Sequence, residues 1–237
     1  MSERKIAIIG DVHGCFEELS ELVSILRKEG VEDIFHLGDL IDRGPDSGAV
    51  VDFVIRNNIS GVLGNHESSI LNSKYVDSSK IRNTEKKRSK EALDKVAVAW
   101  DYLFSLPKLH VIDGLLDYPV VLVHGGLWPV VPLYRQPKSV LFAQLIDKNR
   151  PGKTAWTTDE ESIAKGFVPW WEAYDGEEYV FFGHTVFEKP FIKNRIVGLD
   201  TGCVFGGHLT AVILPDMKFV QVKAKKTYSI RKFNNYG

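Results

Sequence analysis

The chain has 237 residues, 44% of them hydrophobic, and a formal net charge of -1. That length allows one large domain or two small ones with a sizeable core, and the near-zero charge gives no global pull toward nucleic acid or an anionic membrane. No apolar run is long enough to span a bilayer and no signal-peptide core follows Met1, so a cytoplasmic location is expected, in keeping with only two cysteines, Cys15 and Cys203.

In chain order, the apolar run Ile6-Ala7-Ile8-Ile9 reads as a buried strand ending at Gly10-Asp11-Val12-His13-Gly14. A helix is expected from Phe16 to Lys28, because Leu19, Leu22, Val23 and Leu26 share one face and Gly30 closes it. Ile34 to Leu37 is the next strand, ending at Gly38-Asp39-Leu40-Ile41-Asp42-Arg43-Gly44. Val50 to Arg56 reads as helix, and Ile59 to Leu63 as a third strand ending at Gly64-Asn65-His66-Glu67. This is the βαβ rhythm of a mainly parallel sheet.

Residues 67–104 look helical and polar, a cap beside the site, with Leu93, Val96, Ala97, Trp100 and Phe104 as its later apolar face. Val120 to Val123 is a strand ending at His124-Gly125-Gly126. Residues 128–175 are irregular and proline-rich, and a loop region of that length is expected at the mouth of a site. Tyr179 to Phe182 ends at Gly183-His184-Thr185, and Ile192–Leu199, Leu209–Leu214 and Phe219–Val222 look like antiparallel strands. No linker is evident, so residues 1–237 are expected to form one α/β domain, two packed mixed sheets with helices outside.

Ligands of open α/β sheets bind beyond the C-terminal strand ends, where each polar block falls. The donors are oxygens and imidazoles, which suit transition metals such as manganese, iron, zinc, cobalt or nickel. Asp11 and His13, two apart in an extended turn, can share one metal; Asp39 can bridge two; Asn65, His124 and His184 can hold the second. Two such ions would lower the pKa of a water held between them and clamp a tetrahedral phosphate, so that the bridging hydroxide attacks phosphorus in line. His66 faces the other way from Asn65 and can protonate the leaving group, with Asp42 fixing its tautomer. Arg43 offers a planar fork to phosphate oxygens.

Other residues carry plainer readings. Glu67 is expected to cap or salt-bridge, His36 to be a satisfied core histidine, and His110 to be structural. Trp156, Trp170 and Trp171 are read as core, and His208 as either strand residue or cleft rim. The basic stretches Lys80–Lys90 and Lys218–Lys232 read as a solvated helix face and a surface strand.

At the five blocks the chain resembles the phosphoprotein phosphatase superfamily of calcineurin-like metallophosphoesterases, whose GDxHG, GDxxDRG, GNHE, HGG and late GH are present in order. The resemblance covers residues 6 to about 214. It implies a four-layer α/β/β/α sandwich, hydrolysis of phosphoesters or phosphoanhydrides, and two divalent ions, manganese first, on Asp11, His13, Asp39, Asn65, His124 and His184. His124 to Pro129 and Leu199 to Ala211 resemble the bacterial diadenosine tetraphosphatase or ApaH-like branch. The expected substrates are therefore dinucleoside polyphosphates, nucleotides or phosphomonoesters, acted on by a monomer without a membrane partner. The alternative within the superfamily is a protein serine/threonine phosphatase, dual-specificity included; capped or 5′-phosphorylated RNA is a lesser option. A second phosphate-binding arginine of that branch would fall near Gln144; Arg135 and Arg150 are the nearest substitutes, with Arg150 favoured, beside Arg43 and Asn65, as a phosphate ligand.

Overall fold

The computed structural model describes residues 4–129, 131–147, 149–150, 153–155 and 160–230. Its regular elements begin with β1 (Ile6–Ile9), α1 (Phe16–Lys28), β2 (Asp33–His36), α2 (Ser47–Arg56), β3 (Ser60–Gly61) and α3 (Asn65–Leu71). They continue with α4 (Thr84–Leu93), α5 (Ala99–Ser105), β4 (Leu109–Ile112), β5 (Val120–Val123), β6 (Leu145–Asp147), β7 (Thr154–Ala155), α6 (Glu160–Ala164) and β8 (Phe167–Pro169). The last are α7 (Trp170–Ala173), β9 (Tyr179–Phe182), β10 (Phe191–Lys193), β11 (Ile196–Gly198), β12 (Asp200–Thr201), β13 (His208–Leu214) and β14 (Lys218–Lys223).

One mixed sheet runs β12-β13-β1-β2-β3, with β14 also paired to β13; the other runs β10-β11-β9-β5-β4. The strands β1, β2 and β3 are parallel, as are β5, β9 and β11, while β13 is antiparallel to β1 and β14. Strand periodicity explains how the layers stack. Ile6 and Ile8 of β1 pack with Val120 and Leu122 of β5 and Phe181 of β9, so the two sheets meet face to face. The alternate residues Ala7 and Ile9 face Leu19, Leu22, Val50 and Val51 of α1 and α2. On the second sheet, Val121, Val123, Val180 and Phe182 face Leu127, Trp128, Trp170 and Trp171. The expected four-layer sandwich is therefore present.

Several elements depart from the sequence reading. Helix α2 starts at Ser47 rather than Val50 because the Asp46 side chain accepts from the Ala49 N–H at 2.8 Å, an N-cap. The third strand shrinks to Ser60–Gly61, and β4, which lacks a clear alternation, was not anticipated. The cap is not one helix: α4 and α5 are separated by a turn in which Val98 is left-handed, with φ 57°. That turn resets the phase, so Ala99 and Leu103 are buried while Ala97 and Phe104 are exposed. In the segment read as irregular, β6 pairs with β7 and β8 in a small antiparallel sheet, and Trp170 and Trp171 cover the second large sheet as core residues. Trp156 and Pro151 lie outside the described residues, as does the basic tail beyond Ile230. No helix among the described residues is long and apolar enough to cross a membrane.

Candidate metal centre

The polar blocks follow the C-terminal ends of β1, β2, β3, β5 and β9, so the parallel strands of both sheets deliver them to one place. There the loops interlock through backbone. The carbonyl of Asp39 accepts from Val12 and His13 at 3.1 and 2.8 Å, that of Leu40 from Gly14 at 2.7 Å, and that of His124 from Gly183 at 3.0 Å. Gly38, with φ 92°, lies so close to Gly64 that a Cβ would stand 2.6 Å from the Gly64 nitrogen; only glycine fits. Five residues with side chains take left-handed conformations here: His13, Asp39, Asp42, Arg43 and His184, with φ between 48° and 68°. Each such residue is costly, and strain of this kind gathers at functional sites.

Two clusters of donors share Asp39: His13, Asp39 and His66 form one, Asp39, His124 and His184 the other, with ligand atoms within 4.8 Å of one another in each. His13 Nε2 lies 3.5 Å from Asp39 Oδ2, and His124 Nε2 lies 3.4 Å from Asp39 Oδ1. The Nδ1 atoms of His13 and His124 lie 2.9 and 2.8 Å from the carbonyls of Ile41 and Leu37. A carbonyl only accepts, so each Nδ1 carries the proton and each Nε2 turns a lone pair inward, the outer-sphere arrangement of metal-ligating histidines. Asn65 Oδ1 lies 2.9 Å from both His124 Nε2 and His184 Nδ1, an approach of donor atoms that a shared cation would reconcile, while the buried His184 Nε2 has no hydrogen-bond partner among the described residues. Asp11 sits behind His184, whose N–H reaches both carboxylate oxygens at 3.1 Å.

The charges agree with this crowding of donors. Burial, together with the carboxylates of Asp200 and Asp39, raises Asp11 well above the usual range. Burial opposes ionisation of Asp39, but His124, His66 and His13 hold its carboxyl well below that range. Burial lowers His184 to about 3, helped by His124. Burial also lowers His13, with Arg43 and His66 adding to the effect against Asp39. His124 moves the other way: Asp39 outweighs burial and raises it. Buried carboxylates amid inward-facing imidazoles and an amide oxygen are a donor set for divalent transition metals.

His66 stands apart in one respect. Its Nδ1 lies 2.7 Å from Asp42 Oδ2, and a carboxylate can only accept, so Nδ1 is protonated and Nε2 is turned elsewhere. Burial works against a proton on His66, yet Asp39 and Asp42 raise its pKa. Asp42 is itself held: Ser89 donates to Oδ1, and the Asp42 N–H reaches Ser47 Oγ at 3.0 Å. Ser89 and Ser47 were not anticipated; Ser89 lies in the basic run Lys80–Lys90, whose solvated reading fails at Ser89 and Lys90, both buried. Arg43 Nη1 lies 3.2 Å from His13 Nε2, and its guanidinium rests on the Phe205 ring, 5.4 Å from the centroid.

Glu67 caps, as expected, and does so fourfold. Its Oε2 accepts from Asp39 and Gly64, at 2.8 and 3.1 Å, and its Oε1 from Leu40 and Ile41, at 2.9 and 3.2 Å. Burial and the neighbouring Asp39 raise Glu67 to about 7. His36 is the satisfied core histidine predicted, between the Gly38 N–H at 3.1 Å and the Tyr102 hydroxyl at 2.7 Å. His110 stacks on Phe35, and His208 begins β13, half-buried. Arg150 does not join the donors above through any described contact: its Nε is bound to Asp147 Oδ2 at 2.7 Å on an exposed turn. Arg135 is exposed on Tyr134, and Gln144 gives its carbonyl to the Trp170 N–H. The basic groups beside His66 are instead Lys86 and Lys138, which line a cavity of about 440 Å³ with Asp42, Asn65, His66 and Phe142.

A profile of the calcineurin-like phosphoesterases matches residues 4–208. The chain belongs to that family. Calcineurin-like phosphoesterases are hydrolases that use a divalent metal pair, which the donor set just described fits. The chain is 28% identical to an asymmetrical bis(5'-nucleosyl)-tetraphosphatase PrpE of Oceanobacillus iheyensis, over 98% of each chain. It is 29% identical to the namesake from Halalkalibacterium halodurans, over 97% of this chain and 98% of the other. A crystal structure of a protein assigned as a diadenosine tetraphosphatase superposes with a TM-score of 0.76 at 30% identity, covering 94% of this chain and 95% of that one. The family places this phosphoesterase among hydrolases of phosphate esters and anhydrides.

Proposed function

We propose that this phosphoesterase cleaves dinucleoside polyphosphates at an off-centre anhydride bond, with manganese as its working metal, as a cytoplasmic monomer. The observation that carries this reading is the polar cavity of about 440 Å³ that opens from His66 and Asn65 toward Lys86 and Lys138. A second recess, lined by Arg43, Thr84, Glu85 and Arg88, adjoins it at Glu85. A bridged polyphosphate is an extended polyanion, and two adjoining recesses that hold Lys86 and Lys138, then Arg43 and Arg88, beside the carboxylates of Asp42 and Glu85, can follow one, where a single phosphomonoester needs only one. The names carried by the similar tetraphosphatases point the same way.

In this reading Asp11, His13 and Asp39 hold one ion, and Asp39, Asn65, His124 and His184 hold the other. When bound, the pair supplies an acidified water and neutralises charge on the phosphate. The chain does the rest. Arg43 presents its guanidinium to the phosphate oxygens, and Lys86 and Lys138 take the further phosphates in place of Arg150. His66, whose proton Asp39 and Asp42 favour against burial, gives its Nε2 proton to the departing oxygen. Ser89 and Ser47 hold Asp42, so the imidazole keeps one tautomer and one direction.

The test is a substrate panel on the purified chain with Mn, Ni, Co, Zn and Mg added in turn. A dinucleoside tetraphosphate should be the best substrate and yield a mononucleotide and a nucleoside triphosphate. Preference for a phosphoserine or phosphotyrosine peptide would replace this reading with a protein phosphatase. Asp39→Asn should abolish turnover of every substrate while the protein stays folded; unchanged activity would remove the metal-site assignment.

A further inference from the structure

A second group of metal-ligating side chains lies on the other side of the His13 loop. The thiols of Cys15 and Cys203 and a carboxylate oxygen of Glu18 stand within 4.8 Å of one another. All three residues are buried, with exposures of 0%, 1% and 0% for Cys15, Cys203 and Glu18. Neither cysteine is in a disulfide. Glu18 is unusual in its partners. Its Oε1 accepts from the Lys225 N–H and the Tyr228 hydroxyl, both at 2.8 Å, whereas its buried Oε2 has no hydrogen-bond partner among the described residues. A carboxylate oxygen shut away from water and lacking a donor is costly, and a disulfide between the two thiols would supply no donor for it. A cation would.

We propose that Cys15, Cys203 and Glu18 bind a soft divalent transition-metal ion, zinc above all, at a site separate from the phosphate-handling donors. Two thiolates with a carboxylate suit zinc or cobalt, whose tetrahedral ligands stand roughly 3.8 Å apart for bonds of about 2.3 Å, so a small contraction of the present cluster suffices. Each thiol passes its proton to solvent as it ligates. The site ties together parts that are remote in sequence. Cys15 stands at the start of α1, directly after the His13 loop, with its side chain making no capping hydrogen bond. Cys203 opens the short helical turn Cys203–Phe205, which ends in the ring beneath Arg43. Glu18 holds the C-terminal strap, which also gives the Tyr228 and Ser229 N–H groups to the Val204 carbonyl at 3.0 Å. A metal here would pin that strap to the loops carrying His13 and Arg43.

Cobalt substitution tests this without reference to activity. The reduced full-length chain, stripped of metal and titrated with Co²⁺, should develop a thiolate-to-cobalt charge-transfer band in the near ultraviolet, which nitrogen and oxygen donors do not give. The band should disappear in Cys203→Ser and in Cys15→Ser and persist in Asp39→Asn. No band in the reduced wild type after saturating cobalt would overturn the proposal, as would a band retained in Cys203→Ser. If either serine variant fails to fold, Cys203→Ala with circular dichroism as a folding check takes its place, and the wild-type titration still decides. A chain that only forms a Cys15–Cys203 disulfide with a mild oxidant and takes no cobalt after reduction also refutes it.

Discussion

Ser89 offers a sharp test of the proposed role of His66 as the acid. Its hydroxyl donates to Asp42 Oδ1, the oxygen not used by His66, from a position 1% exposed on α4. Ser89→Ala removes one hydrogen bond to a charged acceptor, worth about 1.5–3 kcal/mol in buried settings. Fully transmitted to the transition state, that is ~10–100-fold in rate. Ser47 Oγ lies 3.2 Å from Ser89 Oγ and can turn toward the space left, which favours the lower end, about tenfold. Alanine is the better helix former by a few tenths of a kcal/mol at most, so a folding defect should not obscure the result. The assay is kcat for two monoesters, one with a phenol leaving group that departs unprotonated and one with an alkoxide that cannot. Loss should be about tenfold for the alkyl ester and near zero for the aryl ester, because only the former needs the His66 proton. Equal losses on both esters, or none on either, would refute the path from Ser89 through Asp42 to His66.

Three other outcomes follow from the same geometry. Glu67→Ala strips the acceptor from four buried N–H groups at about 1–3 kcal/mol each, enough to consume most of a typical domain's 5–15 kcal/mol; denaturant melts should show it largely unfolded, and a cooperative melt near wild type would count against the cap. His36 sits at about 3 in the folded chain against 6.5 ordinarily, so the unfolded state alone takes a proton as pH falls from 6.5. Stability at His36 is therefore intact above 6.5 and lost below it by up to ~1.4 kcal/mol per pH unit; His36→Gln should flatten the melt-versus-pH curve between pH 6.5 and 4, and an unchanged slope would exclude His36 as the cause. Lys86→Ala and Lys138→Ala should each raise KM for a dinucleoside tetraphosphate about 3–10-fold, a modest figure because both groups meet solvent, with little change for a small aryl phosphate; equal KM shifts on both substrates would remove these lysines from the polyphosphate path.

Much of the fold was readable because its strands are short and buried on both faces, which leaves pure apolar runs. Ile6–Ile9, Val120–Val123 and Tyr179–Phe182 fall at the expected residues, as does α1, whose stripe is regular. The glycine-bounded blocks were readable for a related reason: a loop that must turn sharply beside another backbone admits little but glycine, as at Gly38 and Gly64. What stayed hidden depends on tertiary placement. The break between α4 and α5 rests on a single left-handed valine, Val98, a residue type that gives no warning of such a turn. Ser89 was hidden by the lysines and arginines around it, since a hydroxyl in a charged helix looks solvated until its helix is packed. The surroundings of Arg150 needed the third dimension, because its guanidinium is bound to Asp147, a partner that its sequence neighbours do not announce.

The strain at the centre shows how these parts depend on one another. Five residues with side chains adopt left-handed conformations there, at roughly 1–2 kcal/mol apiece, a sum comparable to the whole stability of an ordinary domain. No single contact offsets it. The Asp11–His13 loop leans on the Asp39 loop through the N–H groups of Val12, His13 and Gly14. The Asp39 loop leans in turn on Glu67 of α3, which receives three of its N–H groups and a fourth from Gly64. The support is mutual, since the Gly14 carbonyl accepts from the Asp46 N–H and Asp39 Oδ1 from the His66 N–H, and Glu67 joins α3 to this network without adding a donor to either cluster. A perturbation at Glu67 should loosen the Asp39 loop and through it His13, and by the same coupling a change at His13 should weaken the hold on Glu67. The residues to which the proposal gives the chemistry are thus held in costly shapes by one to which it gives none.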